Sequence, residues 1–122
     1  MQPPNDSSDE FFIQTSPEFK KDVRRLKKKY RHIKRDIEPI IERLQGGQLI
    51  GDQIAGTDYI VYKVRVRNSD IQKGKSAGYR IIYQLESSVS IVLIKIYSKS
   101  DRDDISIRSI QKIISDTDQA DR

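Results

Sequence analysis

The sequence predicts an α+β protein in which an N-terminal helical hairpin packs on a small antiparallel sheet and a further helix follows the last strand. Three observations predict it. Apolar residues recur at helical spacing over 19–44, alternate with polar ones over 59–85, and fill both faces of 90–97. The expected order is β-α-α-β-β-β-α. Strands that follow one another through tight turns favour antiparallel pairing.

Residues 1–9 (MQPPNDSSD) are polar and proline-containing, and read as a flexible tail. Phe11, Phe12 and Ile13 read as a short strand. Ser16, Pro17 and Glu18 then supply an N-cap, a proline at the first helical position and an acid in the first turn. Phe19, Val23, Leu26 and Tyr30 form one narrow apolar stripe among lysines and arginines. A second stripe, Ile33, Ile37, Ile40, Ile41 and Leu44, stops at Gly46-Gly47. Pro39 falls inside it, which predicts a kink or a late start, since an interior proline costs about 3 kcal/mol. Residues 46–58 are glycine-rich and read as irregular.

The stretch from Tyr59 to Leu85 reads as two strands and a polar loop. Tyr62, Val64 and Val66 share one face of the first strand, and Lys63, Arg65 and Arg67 share the other. In the second strand Tyr79, Ile81, Tyr83 and Leu85 face the core, opposite Arg80, Ile82 and Gln84. Ser90–Lys99 (SIVLIKIYSK) reads as a strand covered on both faces, turning polar and exposed at Tyr97-Ser98-Lys99. Ser100-Asp101-Arg102-Asp103 resembles a capping box for a terminal helix marked by Ile107, Ile110, Ile113 and Ile114. The chain from 116 to 122 reads as a second tail, leaving one domain over 10–115.

Charge is unevenly distributed. The net charge is +5 and the pI about 9.5. Residues 20–35 hold ten Lys/Arg and one acid, Asp22; residues 63–80 hold six and one acid, Asp70. Residues 101–122 hold six acids against four bases. A basic middle between acidic ends implies a polyanionic partner. Like charges opposite one another on a sheet cost a few tenths to about one kcal/mol per pair, so the row Lys63, Arg65, Arg67 with Arg80 implies a bound polyanion. The competing reading of that row is a solvated outer face. The chain has no cysteine, one histidine and scattered acids, so no metal site and no thiol chemistry are expected. No apolar run reaches the roughly 18 residues of a membrane helix, and no secretory pattern opens the sequence. A cytoplasmic protein with no cofactor and no membrane partner is expected.

The element order, the run F-K-K-D-V-x-x-L-K-K-K-Y, the V-Y-K-V-R strand, the G-K-S-x-G-Y-R-I-I-Y strand and the terminal I-Y-S-K resemble the RelE/ParE superfamily of bacterial toxins over Phe11 to Ile114. The resemblance implies a RelE-like fold and the toxin of a type II toxin–antitoxin pair, with a cognate antitoxin as partner. RelE- and HigB-like members cleave mRNA in the ribosomal A site; ParE-like members inhibit DNA gyrase. A ribosome-dependent endoribonuclease is the expected activity, with ribosome and mRNA as partners. A gyrase inhibitor and a non-catalytic RNA-binding relative are the alternatives. The cationic strand positions of the family fall on Lys63, Arg65 and Arg80. RelE-type members carry a further arginine beyond the last strand and a tyrosine in the terminal helix, where this chain has Ser100, and Ser106 with Ile107.

Cleavage through the 2′-hydroxyl requires a proton acceptor, a stabiliser for the phosphorane and a proton donor for the leaving oxygen. Arg80 suits the second task, since its planar fork grips two phosphate oxygens, and Arg65 is a second clamp. Lys63 is the expected base or acid, because crowding by Arg65, Arg67 and Arg80 disfavours its charged form. Tyr97 and Lys99 are candidates for the other proton. Arg67, Lys73 and Lys75 are expected to hold RNA backbone. Gly74-Lys75-Ser76 is no phosphate loop, because Ser69 stands where the first glycine belongs and a strand follows. Lys20, Lys21, Arg24, Lys27 and Lys28 are expected to dock on ribosomal RNA, against the alternative of a merely soluble helix face.

Overall fold

The strand without a polar face dictates the architecture. Ser90–Ser98 (β5) is buried along its whole length, so helices must cover it on both sides. The computed structural model describes residues 10–71, 77–102 and 104–120. Before β5 come β1 (Phe12–Thr15), α1 (Pro17–Lys27), α2 (Ile33–Gln45), β2 (Asp52–Gln53), β3 (Val61–Val66) and β4 (Tyr79–Ser87); α3 (Ile107–Ala120) follows it. The five strands lie in the order β1-β5-β4-β3-β2.

The expected antiparallel sheet is mixed. β1 runs parallel to β5, Phe12 beside Ser90 and Thr15 beside Leu93, while every other neighbour pair is antiparallel. The two-residue β2 lies inside the stretch read as irregular. It reaches β3 through Gly51, whose φ is +96° and where a Cβ would stand 2.4 Å from the Lys63 carbonyl oxygen.

The sheet parity read from the sequence places the core. Val64, Val66, Tyr79, Ile81, Tyr83, Ile91, Leu93 and Ile96 pack with Phe19, Leu26, Tyr30, Ile33, Ile37 and Leu44 of the helical hairpin. Val61, Ile82, Val92, Ile94 and Tyr97 take the other face, beneath Ile110 and Ile114 of α3. Three layers result. In β5, Ile94 is the extra residue of a bulge, opposite the step from Ile82 to Tyr83. It points to α3, while Ile96 joins the hairpin side. Tyr79 and Tyr83 are core, as their parity predicts. Tyr30 meets Tyr79 edge to face at 5.8 Å, Tyr62 stacks on Tyr83 at 5.2 Å, and the Tyr83 hydroxyl donates to the Ile50 carbonyl.

Ser16 caps α1: its Oγ accepts from the Phe19 N–H at 2.9 Å and donates to the Ile94 carbonyl at 2.7 Å, tying the helix to the sheet. α2 passes through Pro39 without a break, the ring on its exposed side. Three local expectations are corrected. The end of β5 is not exposed, because Tyr97 and Ser98 are buried beneath α3 and the following turn. That turn hangs on Ser98, whose carbonyl accepts from the Asp101 and Arg102 N–H groups, so Ser100 starts no helix. The cap of α3 is Ser106, whose Oγ accepts from the Ser109 N–H at 3.1 Å, and the helix continues to Ala120 rather than fraying after Ser115.

Candidate functional site

The pairing register brings the strand cations together. Arg65 stands opposite Arg80, and Arg80 opposite Tyr97, so the three form one row across β3, β4 and β5. Lys63 lies two residues along β3 from Arg65, on the same face. This is the α3 side of the sheet, at the end that α3 leaves uncovered.

Arg80 is not on the solvent side, as its parity alone suggested. It is only 7% exposed, on the central strand β4 between Arg65 and Tyr97. Its Nη1 donates to the Tyr79 carbonyl at 3.2 Å. Burial lowers its pKa and the Arg65 guanidinium lowers it further, while Tyr97 and Asp104 pull the other way. Tyr97 is a buried strand residue that also faces the site. Burial pushes its hydroxyl up to about 12, with the Asp104 carboxylate adding to the effect. Lys99 lies just past β5, its N–H donating to the Gly78 carbonyl at 2.8 Å, at the root of the β3–β4 loop. Gly78 also lies against β3, where a Cβ would stand 2.1 Å from the Val66 carbonyl oxygen.

Sequence reasoning missed Asp104. Its Oδ1 accepts from Lys63 Nζ at 3.1 Å, from the Tyr97 hydroxyl at 3.3 Å and from the Ile105 N–H at 2.8 Å. One carboxylate oxygen thus joins β3 to β5 across β4. The Ile105 N–H, foremost, and then Lys63 and Tyr97 hold the carboxyl below its usual range against a burial effect of opposite sign. Lys63 thus has an anionic neighbour as well as the strand cations. The available signal was the surplus of acids just after β5, facing a strand with a surplus of bases.

The remaining candidates are dispersed. Arg67 is exposed and lines, with Arg43, Lys63 and Arg65, the groove between α2 and β3. Lys73 and Lys75 lie outside the described residues. Lys20, Lys21, Arg24, Lys27 and Lys28 are exposed on α1, which packs Phe19 and Leu26 on the hairpin side of the sheet and bonds the β5 edge through Asp22. Arg25 of the same helix lines one cleft with Lys95, Tyr97 and Arg102. Lys21, Arg24, Arg25 and Lys28 surround a cleft of about 480 Å³ over Lys95. Lys95 bonds Glu18 and Asp22, each at 3.0 Å, and Asp22 also accepts from the Ile96 N–H at 3.3 Å. His32 is far from the row. Its Nδ1 lies 2.7 Å from Asp70, whose carboxylate also accepts the His32 N–H at 3.0 Å. Among the described residues no three His, Asp or Glu side chains are grouped to hold a metal ion, and no helix is long and apolar enough to cross a membrane.

Comparison with known proteins supplies the relatives. No curated protein matches the sequence significantly. Among solved structures, a doubly arginine-to-alanine variant of the E. coli toxin RelE in the free state superposes with a TM-score of 0.51. The two share 18% identity over 91% of this chain and 97% of that one, a likeness of fold. Residues 13–102 match the family described as ParE toxin of type II toxin-antitoxin system, parDE. That match runs from β1 to the turn beyond β5, through every strand that builds the cationic row. This chain accordingly belongs to the ParE toxin family, within the RelE/ParE superfamily of type II toxin–antitoxin systems.

Proposed function

We propose that this toxin stops translation by cutting messenger RNA on the ribosome, and that the row of Arg65, Arg80 and Tyr97, with Lys63 beside it, is where the RNA is cut. The observation that carries the reading is the register Arg65–Arg80–Tyr97. It brings two guanidiniums, which suit a phosphate, beside two groups able to carry protons, the Lys63 amine and the Tyr97 hydroxyl. In the reaction the 2′ oxygen attacks phosphorus and gives up its proton. The bond from phosphorus to the 5′ oxygen breaks, and that oxygen takes up a proton. The products are a 2′,3′-cyclic phosphate and a 5′-hydroxyl. Arg80 and Arg65 hold the phosphorane oxygens in a site where burial strengthens the attraction. Tyr97, which keeps its proton to about 12, is the donor to the 5′ oxygen, and Lys63 in its neutral amine form accepts the 2′ proton; exchange with solvent returns both groups to their starting forms. Lys99, Arg67, Lys73 and Lys75 carry the flanking backbone, and the α1 cations dock on ribosomal RNA.

The test is cleavage of mRNA on programmed ribosomes, with 2′,3′-cyclic ends mapped. The Arg80→Ala variant should lose about a hundredfold or more in rate, the usual effect of removing one transition-state donor. Arg80→Lys, which keeps the charge and most of the buried stem, separates loss of the fork from loss of the fold. A folded Arg80→Ala protein that cleaves at the parental rate overturns the site. A second reading, inhibition of DNA gyrase, is favoured by the family match. On that reading, induction lowers DNA synthesis before protein synthesis in pulse labelling, and ribosomes are left intact. The family also implies a cognate antitoxin; the basic row is the surface we assign to its acidic residues, with affinity falling as salt rises.

A further inference from the structure

We infer that Asp104 is a built-in stand-in for phosphate, occupying the anion position of the cationic row until a nucleic-acid phosphate displaces it. The inference rests on the nucleic-acid reading given above and adds how the site is regulated. A single oxygen of Asp104 meets Lys63 at 3.1 Å and Tyr97 at 3.3 Å from strands on either side of β4. A phosphate oxygen gripped by the same row would have to lie at that place. The carboxylate is held loosely: the Asp104 side chain is 64% exposed and that of Lys63 33%, and ion pairs this open contribute little. It also arrives on the chain leading into α3 rather than from the sheet, so it can withdraw while β3, β4 and β5 keep their register. A phosphodiester brings its own charge and more than one acceptor oxygen, and its gain over the carboxylate is greatest where Arg80 and Arg65 stand in reach. The empty-handed toxin therefore keeps its most concentrated positive charge partly neutralised, which lowers its attraction for RNA that is not presented in the right geometry.

The test uses the full chain and inorganic phosphate, titrated by NMR on the amides of β3, β4 and β5. Asp104→Asn keeps the oxygen that accepts from the Ile105 N–H and removes only the charge. It should bind phosphate up to about fivefold more tightly, the upper worth of one exposed ion pair. Asp116→Asn, which removes a charge from the far part of α3, should stay within about twofold of the parent, as should Asp104→Glu. In a Lys63→Gln background the gain from Asp104→Asn should disappear. Two results overturn the inference: Asp104→Asn binding no more tightly than Asp116→Asn, or the gain surviving undiminished without Lys63. An uncleavable 2′-O-methyl RNA and a DNA strand of the same sequence, titrated alongside, identify the backbone that profits most. Failure of ribosomal cleavage with the phosphate result intact removes the nuclease reading and leaves the stand-in. Normal cleavage with no phosphate effect does the reverse.

Discussion

The one acid of the basic run 20–35 and the one base of an apolar strand find each other. Asp22 and Lys95 are both buried, 3.0 Å apart, with Glu18 as the second partner of Lys95. Burial raises the pKa of Asp22 above its ordinary value of 3.8 despite Lys95. The folded group therefore binds its proton more readily than the unfolded one. Its contribution to stability is fully present below 3.8 and is lost as pH rises through the raised folded value. It follows that Lys95→Met, which strands a buried carboxylate, should destabilise by about 3–5 kcal/mol near neutrality, with a deficit that shrinks on acidification. Adding Asp22→Asn should recover most of the loss, because the amide oxygen still accepts the Ile96 N–H. Urea denaturation of the four proteins in the cycle checks this. Each residue was conspicuous in the sequence as the exception in its run, yet only the bulge and the packing of α1 reveal that they pair. Asp104 was harder to see, because nothing in a run of acids singles out the one that faces the site.

The helical hairpin does more than cover the sheet. Its second helix grips the root of the β3–β4 loop, the segment that carries Lys73 and Lys75. Asp70 accepts the His32 N–H and contacts the His32 ring, and one turn on, Asp36 accepts the Ser69 N–H at 2.9 Å and its hydroxyl at 3.1 Å. The His32 side chain, then its N–H, holds Asp70 below 3.8. With the folded value lowered, the stabilisation is present above 3.8 and is lost as pH falls through that folded value. Asp70→Asn should speed hydrogen exchange at the His32 amide, and Asp36→Asn should do so at the Ser69 amide. The difference in melting temperature between the parent and Asp70→Asn should close as the solution is acidified below 3.8. Equal exchange at His32 in parent and variant would remove the clamp. Elements as such were legible: the stripes, the Ser16 cap and the alternation of β3 and β4 all stand as predicted. What failed were ends, at Ser98, Ser106 and Ala120, where a tertiary contact decides between turn and helix and local propensity does not.

For the molecule as a whole, the cations fall in two groups on different elements. The α1 cations lie beside the edge of β5, where Arg25 shares a cleft with Tyr97, and Arg65 and Arg80 lie across β3 and β4. The two groups should therefore be separable by mutation. Replacing Lys20, Lys21, Arg24, Lys27 and Lys28 by Gln keeps good helix formers on α1. It should weaken ribosome binding and flatten its salt dependence, since fewer counterions are released, while cleavage positions stay the same. Sedimentation with ribosomes over a salt series measures the first, and end mapping the second. Unchanged binding at physiological salt would make the α1 face a solvated surface only. The α+β class and the order of elements were readable from periodicity. The position of α1 at the β5 edge, beside Tyr97, was not, because strand parity says which residues share a face but not where the helices will lie.

The parallel seam between β1 and β5 has a consequence for the timing of folding. Its partners, such as Ile13 and Ile91, stand far apart in sequence. Closing so long a loop carries an entropic penalty that grows with its length. The β4–β5 hairpin, by contrast, needs only a tight turn at Ser88-Val89, so it is the natural nucleus, and β1 is its late recruit. Because β5 is also the last strand to be synthesised, neither β1 nor α1 has a surface to settle on until that strand has left the ribosomal tunnel. The cationic row, which ends on Tyr97, is thus complete only once β5 has paired with β4.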